Sequence, residues 1–496
     1  MDRDELLTTY EVVPYESNPI HFAHPDTLAT AAYLRGIEPP AFERCRVLEL
    51  GCAAGGHLMP IAEAWPSAQF VGIDLSPRQI ADGRRLVDAL GLGNLELKAM
   101  SILDVGPELG TFDYIVAHGV FSWVPVAVRD KILEICCANL APNGVAYLSY
   151  NVNPGWIRGT AMRELMRFQT RGETEPRQRV AQARALCEFY ETALPAGNFG
   201  DGLREWAARL GRTDDILFLH DHLEPVSQPY YFHEFAALAT AHGLRYLGEA
   251  GWCSSTADLS PSVQAGLQSL CGDDEIAFEQ HLDFLRGRAF RRSLVCHAEQ
   301  PLSAPSPERL ARLKISSVCK PVSPRPDVRS KKNERFVGDL ESLTTGDPFI
   351  KAILVALAEA APYRLPLDQL WLDVRALLQL ERGQLTEEDL GAAVLFCHQS
   401  NLVALHLDAP RLTTTPGRHP TVTALVRAQA ARGPDISSLL HRTVTVSDAD
   451  RGLLALCDGT RDRPTLLAEL GKTGPLTAKQ LDASLVRLAA AALFIE

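Results

Sequence analysis

The sequence predicts an α/β fold built around a mostly parallel sheet that holds a nucleotide-like ligand. The first observation is an apolar stretch from Val47 to Leu50, which predicts a short buried strand and ends on a loop of small residues, Gly51 to Gly56. The second is that a helix and another strand follow, and this strand stops on an acid, Asp74. A strand, a small-residue loop, a helix, a strand and an acid form the first half of a nucleotide-binding unit. Small residues let the backbone approach the ligand, and the acid accepts hydrogen bonds from both ribose hydroxyls.

The small-residue loop alone leaves two ligand classes open. Gly51-x-Ala53-x-x-Gly56 could be a degraded dinucleotide fingerprint, and short glycine patterns of this kind match by chance often. The alternative is a ligand that carries an ammonium group, and Glu49 favours it. A carboxylate directly before the loop would repel a pyrophosphate and would receive an ammonium. S-adenosylmethionine carries such an ammonium together with a ribose. The sequence therefore favours S-adenosylmethionine over a dinucleotide.

Composition and length bound the rest of the chain. Its 496 residues are 46% hydrophobic and 22% charged, which predicts two or three globular domains. The net charge of -12 argues against a general nucleic-acid binder. The polar first residues predict no secretory signal, and no apolar run approaches the ~20 residues of a membrane helix. The eleven cysteines contain no CxxC pair, so we expect a reduced, cytoplasmic protein without membrane insertion.

Further strands are predicted at Leu95 to Ala99, Phe112 to Ala117 and Val145 to Tyr150. The carboxyl ends of parallel strands meet at one edge of a sheet, where such folds bind their ligands. His118 directly follows the fourth strand and Asn151 the fifth. Both residues are therefore candidates for the site.

Four motifs narrow the class of protein. They are the turn Leu-x-Pro-x-Gly at 140–144, the segment Tyr-Asn-x-x-Pro-Gly-Trp at 150–156, and Leu-x-Pro-Val-x-x-Pro-x-Tyr-Phe-His-Glu-Phe at 223–235, after an early Val-Pro-Tyr-x-Ser-x-Pro at 13–19. With them the chain resembles class I S-adenosylmethionine-dependent methyltransferases that carry a methyltransferase regulatory domain. The rickettsial-type protein lysine methyltransferases belong to that group. The resemblance covers about residues 8–330 well and the C-terminal third loosely.

The resemblance implies a Rossmann-like seven-stranded methyltransferase sheet and S-adenosyl-L-methionine as cofactor. It also implies a set of cofactor-binding residues, with Asp104 reaching the adenine amino group. The chain departs from the family at Ala53, where glycine is usual, and we expect cofactor binding to survive the extra methyl group. The implied cofactor-binding residues are Glu49, Gly51, Ala53, Gly55, Asp74, Leu75, Ile102, Asp104 and His118.

Candidates for catalysis and substrate binding lie at the strand ends and in aromatic segments. The catalytic candidates are Tyr150, Asn151 and His118, and the substrate-binding candidates are Tyr15, Trp123 and Tyr231. Tyr10 and Tyr15 belong to an extended arm that either folds over the cofactor or packs on the sheet surface. No metal site is predicted, because the histidines at 220, 222 and 233 need not converge and methyl transfer to an amine requires no metal.

Counting strands predicts the domain organisation. Only five strands precede residue 157, and strands six and seven are predicted at 243–249 and 292–297. We therefore expect a catalytic domain at 1–156 and 231–300, with a helical insertion at 157–230 that covers the substrate face as a lid. A proline- and serine-rich linker with a basic run is expected at 301–335.

The remaining residues, 336–496, are predicted to form an α+β domain of two winged-helix-like modules. The prediction rests on a weak repeat, since Leu385-Thr386 recurs 91 residues further on as Leu476-Thr477. The charges on the helices that follow are mixed, which favours protein contacts over DNA.

The leading functional hypothesis is methyl transfer to protein side-chain amines, most plausibly of lysine. A small-molecule N- or O-methyltransferase of a biosynthetic pathway and a non-catalytic S-adenosylmethionine-binding regulator are the alternatives. A protein substrate is the expected partner, with a small molecule as the alternative and a homodimer as a further expectation.

Overall fold

A seven-stranded sheet forms the centre of the N-terminal part of the chain. A computed structural model describes residues 11, 14–15, 17–251, 256, 259–338, 342–381, 384–472 and 476–496, so Tyr10 lies outside the described residues. The strands are β1 Arg46–Leu50, β2 Gln69–Asp74, β3 Leu95–Ala99, β4 Phe112–Ala117, β5 Leu140–Asn151, β6 Leu244–Glu249 and β7 Phe290–His297.

The strand order is β3-β2-β1-β4-β5-β7-β6. Strands β1 to β5 are parallel, and β7 runs antiparallel to both of its neighbours. From β1 the chain adds β2 and β3 on one side and β4 and β5 on the other. This reversal of strand order opens a crevice at the carboxyl edge of the sheet. The predicted seven-stranded Rossmann-like sheet is confirmed.

Helices cover both faces of this sheet and bury it. One apolar cluster includes Leu28, Val47 and Phe70, and the other, across the sheet, includes Leu48, Ile115 and Phe235. Such two-sided cover explains why the central strands β1 and β4 are mostly apolar. The helices are Pro25–Leu34, Leu58–Ala64, Pro77–Leu90, Val126–Ala138, Phe232–Ala241, Pro261–Cys271 and Glu275–Arg286.

Four helices lie between β5 and the helix that precedes β6. They are Ile157–Gln169, Pro176–Ala193, Asn198–Leu210 and Asp215–His222. Their shared core is separate from the sheet and includes Trp156, Met166 and Trp206. The count of strands predicts a helical segment here, and these helices follow the carboxyl end of β5.

The stretch expected to be a linker is built into the fold. It forms the 3-10 helix Pro307–Arg312 and the strands β8 Lys314–Ser316, β9 Lys320–Pro321 and β10 Glu334–Val337. Its basic run wraps Lys351, whose buried ammonium donates to the carbonyls of residues 327, 330 and 332 at 2.7, 2.6 and 3.0 Å. The composition of this stretch does not indicate these contacts, because backbone carbonyls make them and every residue has one.

Two small α+β units complete the chain, and each repeats one helix start. Thr386 and Thr477 both cap a helix with a capping box, completed by Asp389 and Gln480, which accounts for the repeat. The first unit holds β11 Ser342–Thr345, Pro348–Ala360, β12 Leu365–Pro366, Leu367–Leu378, Glu387–Gln399 and β13 Ala404–His406. The second holds Ala424–Arg432, β14 Asp435–Ser437, β15 Thr443–Thr445, Asp448–Leu456, Arg463–Leu470 and Ala478–Ala490.

Asp26 joins the first of these units to the catalytic sheet. Its Oδ1 accepts from the backbone N–H groups of Leu407 and Asp408 at 2.8 and 2.9 Å. Its Oδ2 meets Arg364 Nη1 at 2.8 Å and His406 Nδ1 at 2.9 Å. Arg364 and His406 hold the pKa of this buried carboxyl well below its usual range, against the opposing effect of burial.

Within the described ranges, no helix is long and apolar enough to cross a membrane. Among the same residues, no group of three or more His, Cys, Asp or Glu side chains is placed to hold a metal ion.

Candidate active site

The loop after β1 has a backbone that only small residues tolerate. Gly51 and Gly55 have φ values of 78° and 79°, and Ala53 has φ of 50°. A Cβ on Gly51 would stand 2.5 Å from Cγ2 of Val120, closer than van der Waals contact allows. The left-handed region suits glycine, so the geometry explains why glycine is usual at the position of Ala53. The loop therefore lies tight against the loop after β4.

Asp74 at the end of β2 is tied to this loop. Its Oδ2 accepts from the Ala53 N–H at 2.8 Å and its Oδ1 from the Ser76 N–H at 2.9 Å. Burial raises the pKa of Asp74, and the backbone donors of Ser76, Ala53 and Leu75 oppose that shift. Each carboxylate oxygen retains a further lone pair, so Asp74 can still accept from ribose hydroxyls.

Glu49 lies under the loop, and one of its carboxylate oxygens is unpaired within the described part of the chain. The residue is 3% exposed, and its Oε2 atom has no hydrogen-bond partner among the described residues. Burial raises the pKa of Glu49 to about 8, and the charge of Asp74 adds to the shift. A buried carboxylate in this condition needs a cation, which is what the ammonium of S-adenosylmethionine would supply.

A segment of the N-terminal arm covers the loop. The Gly56 N–H donates to Ser17 Oγ at 2.7 Å, and a Cβ on Gly56 would stand 1.9 Å from the Ser17 carbonyl oxygen. Further back, Glu11 Oε1 accepts from Ser76 Oγ at 2.5 Å and from the Arg78 N–H at 3.3 Å. The arm thus contacts the loops after both β1 and β2. Sequence analysis proposed such a cover but did not find Ser17 or Glu11.

The third loop of the crevice follows β3. Ile102 and Asp104 belong to the 3-10 helix Ile102–Asp104, in which Ile102 is half-buried and Asp104 is exposed. Leu75, after Asp74, is also half-buried. Leu75, Ile102 and Asp104 thus lie at the ends of β2 and β3, and their contacts with the adenine stay predictions of the family resemblance.

His118 lies at the end of β4 and is held by β5. Its Nδ1 is 2.9 Å from the hydroxyl of Tyr147, and the Gly119 N–H donates to Ser149 Oγ at 2.8 Å. Burial lowers the pKa of His118 to about 4, and the charge of Arg292 on β7 acts in the same direction. The imidazole is therefore neutral at physiological pH, which suits a group beside a cationic cofactor.

Tyr150 does not face the crevice, which corrects its prediction as a catalytic residue. Its hydroxyl lies 2.9 Å from Ser293 Oγ on β7, and its ring stacks on Phe235 with centroids 4.1 Å apart. It is 1% exposed and belongs to the apolar cluster on the opposite face of β5. Successive side chains of a strand alternate between faces, so Tyr150 and its neighbour Asn151 cannot both face the crevice.

Asn151 has the features of a site residue. It is 5% exposed and its side-chain Nδ2 has no hydrogen-bond partner among the described residues. Its backbone is fixed, since its N–H donates to Ser122 Oγ at 2.8 Å and its carbonyl accepts from the Tyr230 N–H at 3.0 Å. A rigid backbone that carries an unpaired buried amide offers one oriented hydrogen-bonding group at the carboxyl edge.

The aromatic candidates for substrate binding are dispersed. Tyr15 is exposed and lies 5.7 Å, centroid to centroid, from the ring of His220 in the helical insertion. Trp123 is half-buried and meets Trp156 edge-on at 6.4 Å. Tyr231 stacks on Phe284, 5.7 Å away, on the outside of the catalytic domain. Tyr15 and Trp123 therefore contact the insertion, whereas Tyr231 does not join them.

A cavity of about 540 Å³ lies between the insertion and the end of β5. Its wall combines the turn after β5 and the residues just before β7 with two insertion helices, Ile157–Gln169 and Asn198–Leu210, and it includes Gly155, Arg158, Trp206 and Ala289. Arg158 and Arg209 on its rim are exposed. The cavity lies at the same sheet edge as Asn151, so a substrate held there would approach β5 from the insertion side.

A crevice that presents a buried acid to an ammonium and a second acid to a ribose has the chemistry of the S-adenosylmethionine-dependent methyltransferases, and this chain is one of them. Family models match three segments: a methyltransferase domain at residues 41–199, a region described as a predicted methyltransferase regulatory domain at 214–297, and the PKMT C-terminal winged helix domain at 419–482. An uncharacterised protein of Rickettsia prowazekii, RP789, is 34% identical over 474 residues, which are 92% of this chain and 84% of that protein. The chain belongs to the family of methyltransferases that joins these three parts.

Solved structures and enzymes of known activity agree with this assignment. PKMT2 from Rickettsia typhi superposes with a TM-score of 0.84 at 28% identity, over 97% of this chain and 100% of that one, and it has also been solved in complex with AdoHcy. Trans-aconitate 2-methyltransferase of Escherichia coli is 24% identical over 211 residues, which are 38% of this chain and 79% of that enzyme. The predicted cofactor, S-adenosyl-L-methionine, and the predicted enzyme class are confirmed.

Proposed function

We propose that the protein transfers methyl groups from S-adenosylmethionine to lysine side chains of a protein substrate. The observation that carries this proposal is the likeness to PKMT2 of Rickettsia typhi, which extends over 97% of this chain. The likeness includes the helical insertion and both C-terminal units as well as the catalytic sheet. The similarity to trans-aconitate 2-methyltransferase, by contrast, extends over only 38% of the chain.

Different residues of the crevice bind different parts of the cofactor in this proposal. We assign the ammonium to Glu49, the ribose to Asp74 and the adenine amino group to Asp104. The loop at Gly51, Ala53 and Gly55 would lie against the rest of the cofactor. Bound S-adenosylmethionine would supply an activated methyl group, which the lone pair of the acceptor would take in line as the carbon–sulfur bond breaks and the thioether leaves. The protein has then to align the acceptor and exclude water.

Asn151 is the residue that we assign to the acceptor. Its buried amide can hydrogen-bond the incoming amine or the adjoining backbone of the substrate, and its fixed backbone sets the direction of that bond. A lysine must lose a proton before it can attack, and a dry site assists because burial lowers the pKa of an ammonium. Neutral His118 adds no repelling charge beside it.

The shape of the substrate entrance supports a macromolecular acceptor. The cavity beside the turn after β5 is open to solvent along the insertion and is lined by Ile157, Trp206 and Ala289. A long side chain can enter such an opening while its protein remains outside. In this proposal the insertion acts as the lid over the substrate face.

Incubation of the purified enzyme with methyl-labelled S-adenosylmethionine and fractionated bacterial lysate tests the proposal. We expect label in protein bands and, by mass spectrometry, on lysine. The Glu49→Gln variant is the control for cofactor-dependent labelling. Label confined to the small-molecule fraction would replace the proposal with a small-molecule methyltransferase, and cofactor binding without turnover would indicate a regulator.

A further inference from the structure

The last unit of the chain contacts the cofactor loop through a pair of histidines. His57 follows Gly55 and Gly56 directly and precedes the helix Leu58–Ala64. His441 lies 384 residues away in sequence, and its Nε2 is 2.8 Å from Nδ1 of His57. Both rings are buried, with 2% and 5% of each residue exposed. This buried hydrogen bond ties the residue that follows the cofactor loop to the C-terminal unit.

The direction of this hydrogen bond follows from a third partner. The backbone N–H of Ile20 in the N-terminal arm lies 3.3 Å from the same Nδ1 atom of His57. A backbone N–H can only donate, so Nδ1 of His57 is an acceptor, and the bond to His441 requires that His441 carries its hydrogen on Nε2. Burial lowers the pKa of His57 to about 3 and the pKa of His441 well below its usual range. Both rings are therefore neutral, and His441 is the donor.

His441 is held rigidly by its own unit. It lies in the turn between β14 and β15, with φ of 56°, and its N–H donates to the Ser438 carbonyl at 2.9 Å. The neighbouring Leu439 N–H donates to the carbonyl of Ala492, also at 2.9 Å. The ring thus reaches His57 from a hairpin that is anchored to the end of the chain.

We propose that His441 is a positioning residue for S-adenosylmethionine, which acts by holding His57 and therefore the Gly51–Gly56 loop in the cofactor-binding conformation. Ile20 and His441 converge on one nitrogen, so the arm and the C-terminal unit set the same ring. The C-terminal winged-helix unit, in this view, completes the cofactor site in addition to any contact with a substrate. The proposal concerns cofactor binding and does not depend on the nature of the methyl acceptor.

A matched contact on the same helix provides the control. Glu63 Oε1, at the other end of the helix Leu58–Ala64, accepts from the Leu425 N–H of the same C-terminal unit at 3.0 Å. Glu63→Ala therefore weakens docking of that unit without touching His57. His441→Ala removes the donor at the loop, and His441→Gln keeps an N–H donor in about the same place.

Calorimetric titration of the full-length variants with S-adenosylhomocysteine measures the effect. We expect His441→Ala to weaken binding about five- to tenfold, as for the loss of one buried hydrogen bond. We expect His441→Gln to restore affinity to within about twofold, and Glu63→Ala to leave it within about twofold of wild type. Hydrogen exchange at amides 51–58 should rise in His441→Ala alone, in the absence of any ligand.

Two results would overturn the proposal. One is unchanged affinity and unchanged exchange in a His441→Ala protein whose thermal unfolding shows that it is folded. The other is an equal loss in His441→Ala and Glu63→Ala, which would mean that docking of the unit matters and the contact to His57 does not.

Discussion

The Ala53 N–H donates to Oδ2 of Asp74 at 2.8 Å, and Ala53 has φ of 50° while it does so. The left-handed conformation is unfavourable for alanine by about 1–2 kcal/mol. The bond to Asp74 joins the two loops that we assign to the cofactor. The hydrogen bond to Asp74 therefore holds Ala53 in a conformation that glycine would adopt without strain.

Ala53→Gly is predicted to relieve this strain. We expect the free energy of unfolding to rise by up to about 1 kcal/mol and cofactor affinity to stay within about twofold of wild type, since the Asp74 bond uses the backbone. Thermal unfolding and calorimetric titration are the measurements. Ala54→Gly is the control, because Ala54 has no positive φ, and we expect it to destabilise by about 0.4–1 kcal/mol. A large loss of affinity in Ala53→Gly would mean that the methyl group itself contacts the cofactor.

Glu49→Gln is predicted to weaken S-adenosylmethionine binding about a hundredfold, because it removes the buried partner of the ammonium. The pH dependence is the sharper measurement. With a pKa of about 8, Glu49 must release a proton when the cation binds, so wild-type affinity should rise between about pH 5.5 and about pH 7.5. The variant should show no such rise from this position. A flat wild-type profile, without proton release in calorimetry, would contradict the assignment.

The same raised pKa predicts an effect of opposite sign on stability. The unfolded chain ionises Glu49 near its ordinary value of 4.5, whereas the folded protein does so at about 8. Without cofactor, wild-type stability should therefore fall as pH rises from the first value to the second. Glu49→Gln should be the more stable protein at pH 7, by on the order of 3 kcal/mol. Denaturant unfolding at several pH values measures the difference.

Asn151→Ala is predicted to reduce methyl transfer while leaving the fold stable. Its Nδ2 has no partner among the described residues, so its loss should change the free energy of unfolding by less than about 1 kcal/mol. Asn139 is the matched control, since it is also buried but its Nδ2 donates to the Gly106 and Gly110 carbonyls at 3.2 and 2.8 Å. Asn139→Ala should destabilise the protein and leave the kcat of the folded enzyme unchanged. The reverse pattern would remove Asn151 from the site.

Gly56→Ala is predicted to displace the arm. The new Cβ would stand 1.9 Å from the Ser17 carbonyl oxygen, and backbone cannot yield as a flexible side chain can. We expect faster proteolysis of the arm and faster dissociation of the cofactor, measured by limited digestion and stopped flow. Gly93→Ala is the control, because a Cβ there meets nothing within 4 Å. An arm that stays protected in Gly56→Ala would contradict the contact.

The sheet and the cofactor class were predictable because their signals are local. Glu49, the loop from Gly51 and Asp74 lie within 26 consecutive residues, and each has a chemical reason to be there. Strands six and seven followed from counting, since a fold with a known number of strands leaves only a few places for the missing ones. The repeat at Thr386 and Thr477 was visible because a capping box is itself a short pattern.

The rest depended on contacts that leave no local pattern. Tyr150 and Asn151 are adjacent, and only the register of β5 against β7 decides which of them faces the crevice. His57 and His441 are 384 residues apart, so neither marks the other in the sequence. The sequence predicts a linker around Ile315, which is buried, because prolines and serines outnumber the few apolar residues of this stretch.

The four bonds that Asp26 forms with residues 364–408 bear on how this enzyme can be dissected. A fragment cut after β7 would retain the helix that carries Asp26 but would lose each of those partners. Its carboxylate would then stand unneutralised on a newly bared apolar face, and the excised fragment would be prone to self-association. Experiments on minimal catalytic fragments would therefore measure the effects of a surface exposed by truncation. The undivided polypeptide is the appropriate protein to study.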